Sequence, residues 1–151
     1  MTDKIISVLY VDDDENNLTS FRAAFRRYFT IFTALSAKEA DAMLSENEIQ
    51  VLITDQRMSI KLGTELLADS VKKYPEQIRI LLTAYADVEC LENAINLGKV
   101  YAYLKKPWNN DKLKEVIEEG YMVYALRKKE QELTKQLEQT IKELELRLKK
   151  K

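Results

Sequence analysis

The sequence predicts a doubly wound α/β fold: a five-stranded parallel sheet with an extended C-terminal helix. Short apolar runs alternate with segments of helical period, and brief connections join them. A narrow apolar seam then follows the last of these segments. With 151 residues the chain accommodates one domain and an appendage. The expected division is a domain over 1–120 and a coiled-coil helix over 121–151.

Ile5–Val11 is the first strand-like run and ends in Asp12-Asp13-Asp14. Glu15–Tyr28 follows a helical period, with Leu18, Phe21, Phe25 and Tyr28 on one face. Phe29–Thr33 is a short strand. Ser36 and Glu39 have the spacing of a capping box, opening a helix through Leu44. Val51–Thr54 reads as a strand buried on both faces and runs directly into Asp55. A loop closed by Gly63 leads to a helix carrying Leu66, Leu67, Val71 and Tyr74, which Pro75 stops.

Ile78–Leu82 and Val100–Leu104 are the last two strands. Between them Asp87 is suited to cap a helix with Leu91, Ala94 and Ile95 inward, and Gly98 to end it. After Lys105-Lys106-Pro107-Trp108, Asn109 or Asn110 caps a helix bearing Leu113, Val116, Ile117, Tyr121 and Tyr124. The seam beyond is Leu126, Glu130, Leu133, Leu137, Ile141, Leu144 and Leu148, with one stutter and one polar position. An isolated helix is marginal in water, so a parallel homodimer through 126–148 is expected; folding back onto the domain is the alternative. Gly120 costs about 1 kcal/mol relative to Ala inside a helix and marks a place for a bend.

Composition narrows the chemistry. A hydrophobic content of 46% and a charged content of 32% fit a folded domain outside the membrane. No apolar run approaches the roughly 20 residues of a spanning helix, and the N-terminus lacks a signal-peptide pattern. The single cysteine, Cys90, allows no internal disulfide and suits a reducing cytoplasm. The absence of histidine excludes Ser/His/Asp and Cys/His catalysis and histidine metal sites. Any bound cation is therefore a hard one held by oxygen. From Arg127 onward nine basic and five acidic residues give +4; with −1 for the whole chain, the rest carries −5. Mixed charge of this kind reads as a solvated helix face, and direct DNA binding is not expected.

Ligands of parallel sheets collect beyond the carboxyl ends of the strands. The first strand ends at Asp12 and Asp13, the third at Asp55 and the fourth at Thr83; Lys106 follows the fifth. Clustered carboxylates are costly unless a cation offsets them, and Mg2+ suits one or two carboxylates, waters and phosphate oxygens. Lys106 adds a mobile positive charge and Thr83 a hydroxyl donor, as needed when a carboxylate attacks a phosphoryl group. Asp55, alone on the central strand, is the candidate nucleophile; the paired Asp12 and Asp13 are candidate metal holders. Each residue alone has an ordinary explanation: Asp14 as a helix cap, Thr83 as a turn hydroxyl, Lys106 as a surface charge. Their arrival at successive strand ends is what joins them.

Through Val11-Asp12-Asp13, Asp55, Thr83-Ala84-Tyr85, Tyr103 and Lys106-Pro107, residues 4–120 resemble a bacterial two-component response-regulator receiver domain of the CheY-like superfamily. The resemblance implies a flavodoxin-like strand order 2-1-3-4-5. It implies that Asp55 accepts a phosphoryl group from a sensor histidine kinase or histidine phosphotransfer protein. Asp13, Asp55 and the backbone carbonyl of Arg57 would bind Mg2+, with Asp12 holding it through water. Thr83 and Lys106 would grip the phosphoryl oxygens, and Tyr103 would be the switch aromatic that follows Thr83. Arg57 and Tyr85 occupy the positions that tune phosphate lifetime, and Lys106-Pro107 would be cis. Such a domain is a phosphoacceptor with weak self-catalysed phosphorylation and dephosphorylation, not an enzyme in the usual sense.

One departure is Ser59, where the family usually has proline; a freer Ile60-Lys61-Leu62 loop is expected. Nothing after Tyr124 has the length of an output domain, so the chain is either a fragment or acts by dimerisation and partner contact. A haloacid-dehalogenase-like phosphatase is the enzymatic rival, but Asn16 stands where its Asp-x-Asp-x-Thr pattern needs threonine after Asp12 and Asp14. A phosphate-independent dimeric scaffold is the third reading.

Overall fold

The computed structural model describes residues 5–84, Glu92 and 100–150. β1 (Ser7–Val11), β2 (Thr30–Ala34), β3 (Val51–Asp55), β4 (Ile78–Thr83) and β5 (Ala102–Lys105) form one parallel sheet. Its order is β2-β1-β3-β4-β5. Four described helices accompany it: α1 (Glu15–Phe25), α2 (Ala37–Glu46), α3 (Gly63–Lys73) and α4 (Asn110–Lys149). The helix expected between Asp87 and Gly98, with Cys90 inside it, lies outside the described residues, as does Tyr85.

Successive strand side chains point to opposite faces, and in β1, β3 and β4 both faces are covered. Val8, Tyr10, Ile53, Ile80 and Leu82 share a core with Leu18, Phe21 and Phe25 of α1 and Leu113, Val116 and Ile117 of α4. Leu9, Val11, Leu52 and Leu81 pack with Ala40 and Leu44 of α2 and Leu66 and Leu67 of α3. Two-sided burial is why these three strands are near-continuous apolar runs rather than alternating ones.

Several boundaries differ from the expected ones. α1 stops at Phe25, and Tyr28 is 42% exposed instead of completing the buried face. The Tyr28 N–H bonds the Phe25 carbonyl three residues back, a tightened turn that sends Phe29 into the core instead. The Tyr28 ring is left outside, with the Lys114 ammonium 4.7 Å from its centroid. Ile5 is 61% exposed and precedes β1, while β5 begins two residues later than Val100. At α2 the Ser36 hydroxyl accepts from the Glu39 N–H (3.2 Å), but the Glu39 carboxylate reaches the Leu35 N–H (2.7 Å). The box therefore closes one residue further back than the usual pattern.

Gly120 is not a bend. α4 runs unbroken through it, and the residue is buried against β4, where an added Cβ would lie 2.8 Å from Ile78 Cγ2. The glycine lets helix and sheet approach closely. Just beyond, the Tyr124 hydroxyl donates to Glu48 (3.1 Å) and Lys128 pairs with Glu76 (3.2 Å). Glu48 and Glu76 precede β3 and β4, so the helix is fastened at the edge opposite the strand carboxyl ends. From Lys128 to Lys149 every residue is exposed, and no described helix is long and apolar enough to cross a membrane.

Because Ile78 is fully buried and stiff at its branched Cβ, Gly120→Val is expected to lower unfolding free energy by about 1–3 kcal/mol through overpacking. Urea denaturation checks this; a variant as stable as the parent would show that the contact relaxes freely.

Candidate functional site

The sheet register assembles the site. Val11 pairs with Thr54, Asp55 with Leu82, and Thr83 with Lys105. The next residues along β1 and β5, Asp12 and Lys106, therefore emerge beside Asp55 and Thr83 at one edge. Backbone bonds continue past the strands: Asp12 N–H to Ala34 O, Gln56 N–H to Leu82 O and Lys106 N–H to Thr83 O. These hold the loop roots rigid.

Asp12 is 1% exposed and accepts four hydrogen bonds. Its Oδ2 takes the Tyr10 hydroxyl (2.6 Å), the Lys106 ammonium (2.6 Å) and the Asn17 amide (3.0 Å). Its Oδ1 takes the Asp14 N–H at 2.9 Å. Burial pushes the Asp12 carboxyl up, but the bonds from Lys106, Tyr10 and Asp14 outweigh it and leave it below the usual range. Asp55 differs. Burial raises it, Lys106 at 3.3 Å pulls it back, Asp12 repels it, and the outcome is a carboxyl above its ordinary range. Tyr10 is driven up by burial and then by its bond to Asp12, so it stays a hydroxyl donor.

Asp13 is exposed, and one oxygen from each of Asp12, Asp13 and Asp55 lies within 4.8 Å of the others. Trans ligands of an octahedral Mg2+ at about 2.1 Å stand about 4.2 Å apart. The cluster is thus of a size that would suit a hard divalent ion. The all-oxygen donor set fits as well.

Thr83 is buried (2% exposed) one residue past the partner of Asp55, and Arg57 is exposed two residues after it. Tyr103, on β5, is 44% exposed. Lys106-Pro107 is cis, as the resemblance implied. Asp14 caps α1, accepting from the Asn16 N–H (2.9 Å). Tyr85 lies outside the described residues.

Sequence reasoning missed the scaffold around Asp55. The Gln56 side chain is buried and bonds both the Thr64 N–H (2.9 Å) and the Thr64 hydroxyl (3.2 Å), tying β3 to the first turn of α3. Gly63 lies over the Asp55 carbonyl, with which a Cβ would collide. The loop after Met58 is not free at its start: the Ser59 N–H and hydroxyl both donate to Asp13 Oδ2, at 3.2 and 3.0 Å. The proline usual at that position has no N–H, so the departure adds a tether instead of removing one.

Residues 8–118 match the family described as the response regulator receiver domain. The chain belongs to that family. Among relatives, the hydrogenase transcriptional regulatory protein HoxA of Cupriavidus necator is 32% identical over 126 residues, covering 83% of this chain and 26% of HoxA. The chain spans about a quarter of the curated relatives it matches first (26% and 25%). A CheY-like receiver domain protein from Methanospirillum hungatei superposes with a TM-score of 0.76 at 28% identity, over 81% of this chain and 98% of that one. The response regulator TrrA of Thermotoga maritima, in complex with Mg2+ and BeF, gives 0.69 at 26% identity, over 77% and 99%. This is therefore a receiver domain of two-component signalling, in a family whose acidic pocket binds Mg2+.

The Asp12 and Asp55 carboxyls should respond oppositely to neutralisation. Asp12 is depressed, so its contribution to stability is full above the unfolded carboxylate range and is lost as pH falls through its folded pKa. Asp55 is raised, so its charge opposes folding at neutral pH, and that penalty disappears as pH falls through its folded pKa. At pH 7 in EDTA, Asp12→Asn should lower the unfolding free energy by about 1–3 kcal/mol, and Asp55→Asn should raise the urea midpoint. Shifts of the same sign in both variants would contradict the assignment.

Proposed function

We propose that the chain is the phosphoacceptor module of a two-component phosphorelay in the cytoplasm. Asp55 takes a phosphoryl group from a sensor histidine kinase or histidine phosphotransfer protein. The observation that supports this reading most directly is the convergence of Asp12, Asp13, Asp55 and Lys106 at one sheet edge. Asp13, Asp55 and the backbone carbonyl of Arg57 would hold Mg2+, which when bound would neutralise phosphoryl oxygens. Asp12, already committed to four donors, would hold the ion through water.

The Asp55 carboxylate attacks phosphorus in line, and the donor's nitrogen leaves with the bonding pair. Lys106, held at the site by Asp12, and the Thr83 hydroxyl grip the phosphoryl oxygens. A preorganised ammonium is worth more in a half-buried pocket than in water. Arg57 and Tyr85 set how readily water attacks the acyl phosphate, a slow self-catalysed step. Thr83 moving toward the phosphoryl group lets Tyr103 turn inward, changing the face around β5. The division into a receiver over 1–120 and a signalling helix over 121–151 follows, with the helix dimerising through 126–148.

With acetyl phosphate or beryllofluoride and Mg2+, the parent chain should be modified or bound, while Asp55→Asn or EDTA abolishes the response; equal labelling of Asp55→Asn would sink this reading. The dimer has its own check. Leu133, Leu137 and Ile141 are 55%, 61% and 45% exposed on a single helix, so Leu137→Lys is expected to shift sedimentation from dimer to monomer at micromolar concentration. A parent chain that is already monomeric there removes the coiled-coil pairing.

A further inference from the structure

We infer that Ser59 is a positioning residue for the metal ligand Asp13, fixing its carboxylate so that one oxygen is spent on the β3–α3 loop and the other is left for the divalent cation. The inference rests on the proposed function, since it concerns the ion of that same site. Asp13 is an exposed side chain, which in solvent would rotate among staggered and terminal orientations. Here two donors from one residue converge on Oδ2, the Ser59 N–H at 3.2 Å and the Ser59 hydroxyl at 3.0 Å. The contact spans forty-six positions in sequence and joins the end of β1 to the loop after β3. A carboxylate oxygen with two donors has its lone pairs occupied, whereas Oδ1 takes no donor among the described residues.

Hydrogen bonds to a ligating carboxylate orient it, and losing such an outer partner costs roughly 10–100-fold in metal affinity. The same contact makes ion binding and loop position interdependent. The loop beyond Ser59 carries Ile60, which is 95% exposed, so its placement relies on its ends: Ser59 on Asp13, and Lys61 on Asp69.

The test is a MgCl2 titration of the full chain by calorimetry and by tryptophan fluorescence. Trp108 is the only tryptophan. It sits edge-on to Tyr10 at 5.8 Å, and the Tyr10 hydroxyl bonds Asp12, so the probe adjoins the ion site. Ser59→Ala is expected to weaken Mg2+ binding about 10-fold, the low end of that range because the backbone donor remains. Ser59→Thr, which keeps the hydroxyl, should restore it, and melting temperatures in EDTA should match across all three chains. Asp13→Asn should lose binding altogether. If the parent binds Mg2+, Asp13→Asn does not, and Ser59→Ala binds as tightly as the parent, the positioning role is wrong while the phosphoacceptor reading stands. A Ser59→Thr variant as weak as Ser59→Ala, or a lowered melting temperature for Ser59→Ala in EDTA, would also overturn it. If the parent binds no Mg2+, both fall together.

Discussion

The ammonium of Lys106 between Asp12 and Asp55 is the contact on which the site depends. Two carboxylates in a half-buried pocket repel: at the 4.8 Å bound of the acidic cluster, like charges cost about 3–4 kcal/mol at an effective dielectric near 20. Lys106 offsets this from 2.6 and 3.3 Å. It can do so because β5 is in register with β4 and the Lys106 N–H is bonded to the Thr83 carbonyl. The electrostatics of the site are thus inherited from the hydrogen bonding of the sheet. That sheet in turn is held by fully buried residues such as Leu9, Ile53, Ile80 and Leu82.

The two carboxyls are treated unequally. Asp12 is wrapped by hydroxyl, amide, ammonium and backbone donors, which hold it ionised and immobile. Asp55 is nearer solvent, with 13% of its side chain exposed, and its ionised form is the strained one. A carboxylate whose charge is poorly compensated gains most from a cation placed beside it. Neighbouring aspartates thereby acquire different work from their surroundings alone.

The strands and the Asp55 position were legible because two-sided burial writes an unbroken apolar run, and because a parallel sheet sends every carboxyl end to one edge. Periodicity also found Leu18, Phe21 and Phe25, but carried the pattern one step too far to Tyr28, since nothing in the spacing reveals a turn tightened at Phe25. Gly120 was read from propensity as a weak point, whereas its reason is a tertiary contact with Ile78, about forty residues away in sequence. Ser59 was read as a lost proline, hence a freer loop. Its bonds to Asp13 depend on the separation of two loops, a distance no local pattern encodes. The same holds for Gln56 and Thr64: the side-chain types were visible, but their pairing was not.

The long helix follows from the same geometry. α4 begins at the cap Asn109, three residues past Lys106, and its 40 residues extend about 60 Å at 1.5 Å per residue. Its first turns are clamped by Leu113, Val116 and Ile117 in the core, and Gly120 seats it on Ile78. Its root is then pinned by Tyr124 to Glu48 and by Lys128 to Glu76, at the far edge of the sheet. α4 thus joins the loop that carries Lys106 to the exposed residues beyond Lys128 in one continuous helix. Any free energy that couples its two ends is limited to the difference in a ligand's affinity between two states of the domain, so it would originate at the ligand's contacts and not in the helix itself.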